Sequence, residues 1–301
     1  MMRRLPVMLL ALMWLCVGVA WGEALYMENA WNYVDGSLDV SAGIPKDAEG
    51  ALASIRETGV LRVGTEPYFP PQEFIDPSLE GQAAYVGSDM EMARRIAERM
   101  GVALEIVPME FTHVLDALDE GECDLVISAL AYTPQRASRA TLSKGYHFTG
   151  AGASSGMLIR AADAERIVDL DSLAGLDIVA QSGSLQEAMT AENVLNYREF
   201  RRVDSVQAAY DAVAEGDADA ATVDIESAEA YIAGNPELGL ALARDIRFAV
   251  KPEFDGDRVA ARKGEYQLVC FVNGVIDELL AADQYRAWFD SYAEYADRLG
   301  M

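Results

Sequence analysis

The fold is decided by the stretch Asp124-Leu-Val-Ile-Ser-Ala-Leu-Ala-Tyr-Thr-Pro-Gln-Arg136. Its apolar part, residues 125–130, is typical of a short strand buried on both faces of a parallel sheet. Thr133 and Pro134 predict a helix start, with Thr as the N-cap and Pro at the first helical position. Arg136 falls in the first turn of that helix, at the sheet edge where ligands bind in open α/β sheets. A guanidinium there can hold a carboxylate with two parallel hydrogen bonds, and an exposed helical arginine is the alternative interpretation.

The composition describes a folded and strongly acidic chain. The 301 residues are 51% hydrophobic and include 10 prolines, so the chain can bury one large core or two medium ones. There are 24 basic and 49 acidic residues, which gives a net charge of −25. Because nucleic-acid binding needs a basic surface, we expect no nucleic-acid partner.

Residues 1–22 are predicted to be a secretory signal peptide, because two arginines precede an apolar run that ends in small residues. Cleavage after Ala20 and cleavage after Gly22 both fit the pattern, and an uncleaved N-terminal anchor is the alternative. We therefore expect a periplasmic or extracytoplasmic protein. Residues 23–50 lack periodicity and are predicted to be an irregular lead-in.

Few residues of this sequence suggest metal, redox or catalytic chemistry. Cys123 and Cys270 would remain after cleavage; buried free thiols fit the apolar run around Cys270, and pairing stays open. His113 and His147 have no partner at metal-ligand spacing, so no metal and no cofactor is expected. The sequence also has no phosphate loop and no nucleophile elbow.

Strands and helices alternate from residue 51 onward, with short connections between them. A helix–glycine–acid–strand pattern occurs at 114–130 and again at 206–224. This repetition favours two similar α/β lobes with parallel, helix-covered sheets over one long sheet. Residues 266–299 are predicted to form two helices.

A set of ordered motifs resembles the periplasmic solute-binding proteins of ABC importers, in the family that carries polar amino acids (solute-binding family 3). The motifs follow the family's order from about residue 51 to the C-terminus. They lie at 61–65, 70–71, 87–93, 107–111, 118–124, 133–136, 183–187, 216–220 and Asp224.

The resemblance implies a two-lobed type II periplasmic-binding-protein fold, in which each lobe is a helix-covered, mostly parallel sheet. Lobe 1 would comprise residues 51–149 and 256–301, and lobe 2 would comprise residues 150–255. The connecting strands would cross near 149–157 and 254–261.

The resemblance also implies a set of ligand-binding residues. Arg136 matches the arginine that holds the ligand's α-carboxylate, and Asp224 matches the acid that binds the α-ammonium. The remaining matches are aromatic residues, backbone carbonyls, distal polar groups and a helix start with free amides at Gly183 and Ser184. They are Phe69, Phe111, Ser128, Ala129, Glu66, Gln181, Ser184 and Leu185.

Two positions depart from the family's pattern. Ala131 and Leu185 stand where related proteins carry hydroxyl groups that contact the ligand. Each lost hydrogen bond is worth about 0.5–1.5 kcal/mol. The ligand is therefore expected to differ from a standard amino acid or to sit slightly differently.

The expected function is to capture an amino acid or related small zwitterion between two lobes, without transforming it. The protein would act as a monomer and deliver this ligand to the membrane permease of an ABC transporter. The alternatives are a ligand-sensing subunit and a periplasmic dehydratase of the cyclohexadienyl or prephenate type. Glu66 or His113 would be the acid or base of such an enzyme, but Asp224 suits an ammonium and favours the binding protein.

Overall fold

The computed structural model describes residues 33–148, 153–250 and 255–300. The predicted signal peptide, the first part of the lead-in, residues 149–152 of the first predicted crossing and residues 251–254, the last of which begins the second predicted crossing, lie outside these residues.

The strands of the described residues belong to two five-stranded sheets and one three-stranded sheet. In chain order they are β1 (Val60–Thr65), β2 (Tyr68–Phe69), β3 (Glu73–Ile75), β4 (Tyr85–Val86), β5 (Ala103–Pro108), β6 (Leu125–Val126), β7 (Ala140–Leu142), β8 (Ala153–Arg160), β9 (Asp177–Gln181), β10 (Glu199–Val203), β11 (Ala220–Asp224), β12 (Leu240–Ala249) and β13 (Ala260–Arg262).

The α-helices of the described residues flank these sheets. They are α1 (Gly50–Thr58), α2 (Ser88–Met100), α3 (Val114–Glu120), α4 (Pro134–Arg139), α5 (Leu185–Asn193), α6 (Val206–Glu215), α7 (Ile225–Gly234), α8 (Tyr266–Ala281) and α9 (Gln284–Leu299).

Local capping signals determine where several helices begin and end. The Thr133 side chain accepts a hydrogen bond of 3.1 Å from the Arg136 amide, and Pro134 is the first residue of α4. Gly101 and Gly121 end α2 and α3 in the left-handed conformation that glycine adopts without strain. The predicted helix start beside Arg136 is therefore confirmed.

Each five-stranded sheet combines parallel and antiparallel pairs. The first has the order β5-β1-β6-β13-β7, and the second has the order β10-β9-β11-β8-β12. The first three strands of each order are parallel, whereas β13 and β8 run antiparallel to both of their neighbours. β8 and β13 follow the two connecting segments, so the chain enters each sheet there in the opposite direction. The predicted two-lobed α/β fold is confirmed.

Residues 33–48 form an irregular arm that packs on the first lobe. Val34 is fully buried in the same hydrophobic cluster as residues of α1 and α8. The backbone amides of Val34 and Leu38 donate to the carbonyls of Leu142 and Cys270, at 2.8 and 2.9 Å. The arm is thus part of the core of this lobe.

The two cysteines lie in different hydrophobic clusters, as separate buried thiols. Burial raises the pKa of both Cys123 and Cys270 to about 11, so neither thiol is a reactive thiolate at neutral pH.

None of the helices in the described part of the chain is both long enough and apolar enough to span a bilayer.

Candidate ligand-binding site

A cavity lies between the two lobes, where the parallel strands of both large sheets end. It contains about 1090 Å³ of space when its open mouth is included. Its wall includes residues that end or follow β1, β6, β9 and β11, because the carboxyl ends of parallel strands meet at one edge of a sheet. All the predicted ligand-binding residues line this cavity: Glu66, Phe69, Phe111, Ser128, Ala129, Ala131, Arg136, Gln181, Ser184, Leu185 and Asp224.

The guanidinium of Arg136 is held between the two lobes. It donates from Nη1 to the carbonyl of Ala131 at 2.6 Å and from Nη2 to the carbonyl of Gly183 at 2.8 Å. It also lies over the Phe111 ring, 5.4 Å from the centroid. Burial lowers the pKa of Arg136 to about 10, so the group stays protonated at neutral pH. The cavity therefore contains a fixed, fully protonated cation.

The start of α5 differs from its prediction, because two of its amides are already bound. Gly183 donates to the Glu187 carboxylate at 2.7 Å, and Ser184 donates to the carbonyl of Gln181 at 3.3 Å. The Ser184 hydroxyl caps the helix by accepting from the Glu187 amide at 3.0 Å. The prediction of free amides at Gly183 and Ser184 was therefore wrong.

Asp224 brings a carboxylate into the cavity from the second lobe. It is the last residue of β11, and its Oδ1 caps α7 by accepting from the Ser227 amide at 2.9 Å. Burial raises the pKa of Asp224 to about 6, although the hydrogen bonds from Ser227 oppose that shift. A cation beside Asp224 would therefore stabilise its ionised form.

Glu66 and Gln181 form a polar contact between the lobes. The Gln181 side-chain amide donates to both carboxylate oxygens of Glu66, at 2.9 and 3.0 Å. Glu66 is only 3% exposed, and burial raises its pKa to about 7. The pair leaves an acidic group beside the cavity that a cation could neutralise.

A buried acid supports the loop that follows β6. Asp89 accepts hydrogen bonds from the Ala129 amide at 2.9 Å, the Tyr146 hydroxyl at 2.9 Å and the Tyr285 hydroxyl at 2.6 Å. Ala129 has a φ of 43°, a conformation that costs free energy in a residue other than glycine. Asp89 thus holds the cavity wall at Ala129 in an unfavourable backbone conformation.

The hydroxyl group of Ser128 forms its hydrogen bonds within the protein. Its hydroxyl donates to Oε1 of Glu73 at 3.2 Å and accepts from the Glu66 amide at 3.0 Å. Burial raises the pKa of Glu73 well above its usual value, and the negative charge of Asp89 raises it further. Ser128 therefore positions the wall, and its hydroxyl is committed to these two bonds.

Replacing Asp89 with alanine should lower the free energy of unfolding by about 3–5 kcal/mol, because one amide and two hydroxyls would lose their buried acceptor. Urea denaturation of the unliganded protein measures this change. The control is Asp290→Ala, which removes an exposed ion pair with Arg286 and should change stability by less than about 1 kcal/mol. Equal effects of the two substitutions would contradict the supporting role of Asp89.

The cavity also includes residues that were not predicted. Gln72, Glu73, His147, Glu226, Asp255 and Asp257 are among them. Gln72 directly follows the Pro70-Pro71 motif and could have been included from that position. Glu73 and Glu226 lie within two residues of Gln72 and of the predicted Asp224 and could have been included in the same way. His147, Asp255 and Asp257 are brought to the cavity by contacts between distant parts of the chain, which no local pattern indicates.

His113 lies outside the cavity and beside two glutamates. Its Nε2 is 3.1 Å from a carboxylate oxygen of Glu122, and ligand atoms of His113, Glu120 and Glu122 lie within 4.8 Å of one another. The prediction that His113 lacks a neighbour at ligand distance was wrong, because the chain after α3 folds back towards it. His113 is not among the residues that line the cavity.

Comparison with known proteins agrees with this architecture. The family described as "Bacterial extracellular solute-binding proteins, family 3" matches residues 61–295. The L-cystine-binding protein of Escherichia coli strain K12 is 27% identical over 234 residues, which cover 77% of this chain and 81% of that protein.

A second relative has a solved structure, and a third is an enzyme. An amino acid ABC transporter substrate-binding protein from Streptococcus pneumoniae, bound to L-arginine, is 30% identical with a TM-score of 0.72, covering 82% of this chain and 98% of that one. Membrane-bound lytic murein transglycosylase F of Idiomarina loihiensis is 27% identical, but 75% of this chain corresponds to only 50% of that enzyme. By its fold and the extent of the family match, this chain belongs to the bacterial extracellular solute-binding proteins of family 3.

Proposed function

We propose that this protein binds a cationic L-amino acid in the cavity between its lobes. One observation carries the proposal: Arg136 from the first lobe and Asp224 from the second line the same cavity. A guanidinium suits the α-carboxylate of an amino acid, and a carboxylate suits its α-ammonium. Both partners are needed, because a buried charge without a partner is costly.

The charge of the cavity supports a ligand with a cationic side chain. Besides Glu73, whose pKa is raised well above its usual value by burial, its described lining contains the acids Glu66, Asp224, Glu226, Asp255 and Asp257, whereas Arg136 is its one arginine or lysine. A zwitterion with an extra positive charge would offset part of this excess. The relative from Streptococcus pneumoniae that was solved with L-arginine supports the same ligand class.

A ligand screen tests this function. Melting temperatures are measured with each standard amino acid, L-ornithine and L-citrulline, since a ligand that binds only the folded state raises the melting temperature. Titration calorimetry of the best ligands then gives their affinities. We expect L-arginine, L-lysine or L-ornithine to bind most tightly, and neutral L-citrulline to bind more weakly than L-arginine. Preference for an acidic amino acid, or no stabilisation by any compound, would contradict the proposal.

The partner proposed for the loaded protein is the permease of an ABC importer, reached outside the cytoplasm. Family membership supports this role, as does the name of the ABC-transporter relative. The transglycosylase match gives little support to an enzyme, because it spans half of that protein. His113, one of the two residues considered for dehydratase chemistry, does not line the cavity.

Affinity for L-arginine should fall as the pH is lowered from 7.5 to 5. Burial raises the pKa of Glu66 to about 7 and that of Asp224 to about 6. Bound cations favour the ionised carboxylates, so binding releases protons, and acid opposes it. For each such group, affinity falls about tenfold per pH unit below its pKa. Because L-arginine stays net positive over this range, the loss reports on the protein.

Calorimetry in two buffers with different ionisation enthalpies measures this effect. Proton release should be visible near pH 6. At pH 5 the loss of affinity should be about 100-fold from Glu66 and about tenfold from Asp224, which together give about 1000-fold. Constant affinity, or tighter binding in acid, would show that no titrating carboxylate contacts the ligand.

A further inference from the structure

Asp257 occupies a fixed position on the first-lobe side of the cavity. It lies between the second connecting segment and β13, where its amide donates to the carbonyl of His147 at 2.9 Å. Its own carbonyl accepts from the amide of Tyr146 at 3.1 Å, and its backbone pairs with Ala131 in an isolated antiparallel bridge. Three contacts therefore hold Asp257 beside the loop that leads to Arg136.

The carboxylate of Asp257 is only partly satisfied by the protein. Gln72 donates to its Oδ2 at 3.0 Å, and the same Gln72 amide is 3.2 Å from the Tyr285 hydroxyl. The residue is half-buried and lines the cavity. Burial raises the pKa of Asp257 to about 6, and the hydrogen bond from Gln72 and the positive charge of Arg136 oppose that shift.

Arg136 is near Asp257 without forming a direct ion pair with it. The described partners of the guanidinium are the carbonyls of Ala131 and Gly183. Asp257 therefore does not neutralise the guanidinium by direct contact, and a ligand carboxylate could pair with it.

Two carboxylates, one from each lobe, act on each other across the cavity. The charge of Asp257 is among the causes that raise the pKa of Asp224. Like charges in a partly buried site disfavour joint ionisation, and a cation placed between them removes that penalty. Ala131, which pairs with Asp257, has only a methyl side chain, so at this pair of residues the charged acceptor is Asp257.

We propose that Asp257 is a second ammonium-binding residue, so that the α-ammonium of the ligand is held by Asp257 from the first lobe and Asp224 from the second. This assignment rests on the proposed function. It makes Asp257 a specificity-determining residue that selects for an ammonium next to the carboxylate bound by Arg136.

The experiment compares L-arginine with 5-guanidinopentanoate, which keeps the carboxylate and the guanidinium but lacks the α-ammonium. Affinities for both probes are measured by calorimetry with the wild-type protein, Asp257→Asn, Asp257→Glu and the control Asp245→Asn. Asparagine keeps the shape and an acceptor for Gln72, and glutamate keeps the charge. Asp245 is an exposed residue of β12 outside the cavity, so its variant removes the same charge without touching the site.

We expect Asp257→Asn to weaken L-arginine binding about 10- to 100-fold, and to leave 5-guanidinopentanoate binding unchanged or improved. The wild-type preference for L-arginine should shrink by the same factor, and Asp257→Glu should retain more of it than Asp257→Asn. Asp245→Asn should behave like the wild type with both probes.

Two results would overturn the assignment while leaving the proposed function intact. They are an equal loss of affinity for both probes in Asp257→Asn, which indicates a structural role, and no loss for either probe. If the wild-type protein binds none of L-arginine, L-lysine and L-ornithine, the proposed function itself fails, and the assignment of Asp257 is overturned with it.

Discussion

Replacing Arg136 with alanine should weaken the binding of L-arginine by about 100-fold or more. Removing one partner of a buried, hydrogen-bonded charge pair costs about 2–5 kcal/mol, and every 1.4 kcal/mol is a tenfold change in affinity. Arg136 is 6% exposed and its guanidinium is fixed by two carbonyls, so no other described cation of the cavity could replace it. Titration calorimetry with L-arginine measures the loss.

The matched control for this prediction is Arg139→Ala. Arg139 lies on the same helix, α4, but it is exposed and pairs with Asp116 and Asp119. Its replacement removes the same side chain and charge, and affinity should stay within about twofold of the wild type because exposed ion pairs contribute little. If Arg136→Ala folds and binds L-arginine as well as Arg139→Ala does, Arg136 does not hold the carboxylate.

Replacing Asp224 with asparagine should weaken L-arginine binding by about 30-fold or more, because the ammonium would lose a charged acceptor in a partly buried site. Asparagine is as good an N-cap as aspartate, so the hydrogen bond to the Ser227 amide and the start of α7 should persist. The variant therefore changes charge with little change in structure. Calorimetry at pH 7.5 measures the affinity.

The pH dependence of the affinity shows whether Asp224 contacts the ligand or only supports the structure. In Asp224→Asn one titrating carboxylate is gone, so affinity should depend less steeply on pH between 5 and 7.5 than in the wild type. The control is Asp217→Asn, at an exposed position just before β11 that does not line the cavity. Unchanged affinity in Asp224→Asn would rule out its contact with the ammonium.

The sequence allowed the site to be anticipated because its residues follow strands. Glu66 and Gln181 each lie just after the end of a predicted strand, and such ends converge in a parallel sheet. Ser128 was predicted to lie within the strand 125–130, but that strand ends at Val126, which leaves Ser128 just beyond its end. The helix starts were equally readable, because caps such as Thr133 with Pro134 act within one turn. Strand ends and helix caps depend on residues that are close together in the chain, so a single sequence is enough to predict them.

Other features depend on partners that are distant in the sequence. The strand β10, with the letters Glu-Phe-Arg-Arg-Val, is an edge strand with mostly exposed side chains, so it lacks the apolar signal of a buried strand. The strand β12 mixes alanine and arginine, which also suit a helix. Asp257 is held beside the cavity by the pairing of its backbone with Ala131. The residues around Asp257 and Ala131 in the sequence do not predict that pairing.

The backbone amides at the start of α5 show a second limit of prediction from the sequence. The pattern Gly183-Ser184 indicated a helix N-terminus, and that is where the helix begins. The pattern could not show that Glu187, on the first turn of the same helix, would accept the Gly183 amide. Acidic residues are favoured in a first helical turn, and here one of them competes with any ligand carboxylate for the exposed donors.

The arm formed by residues 33–48 shows that the boundary of the family match is not the boundary of the folding unit. The match begins at residue 61, yet Val34 is fully buried with α1 and α8, and Gly274 of α8 has room only for a hydrogen beside the carbonyl of Leu38. A biosensor built from this protein would have to retain the arm. Trimming the gene to the family's common core would uncover apolar surface on the lobe that carries Arg136.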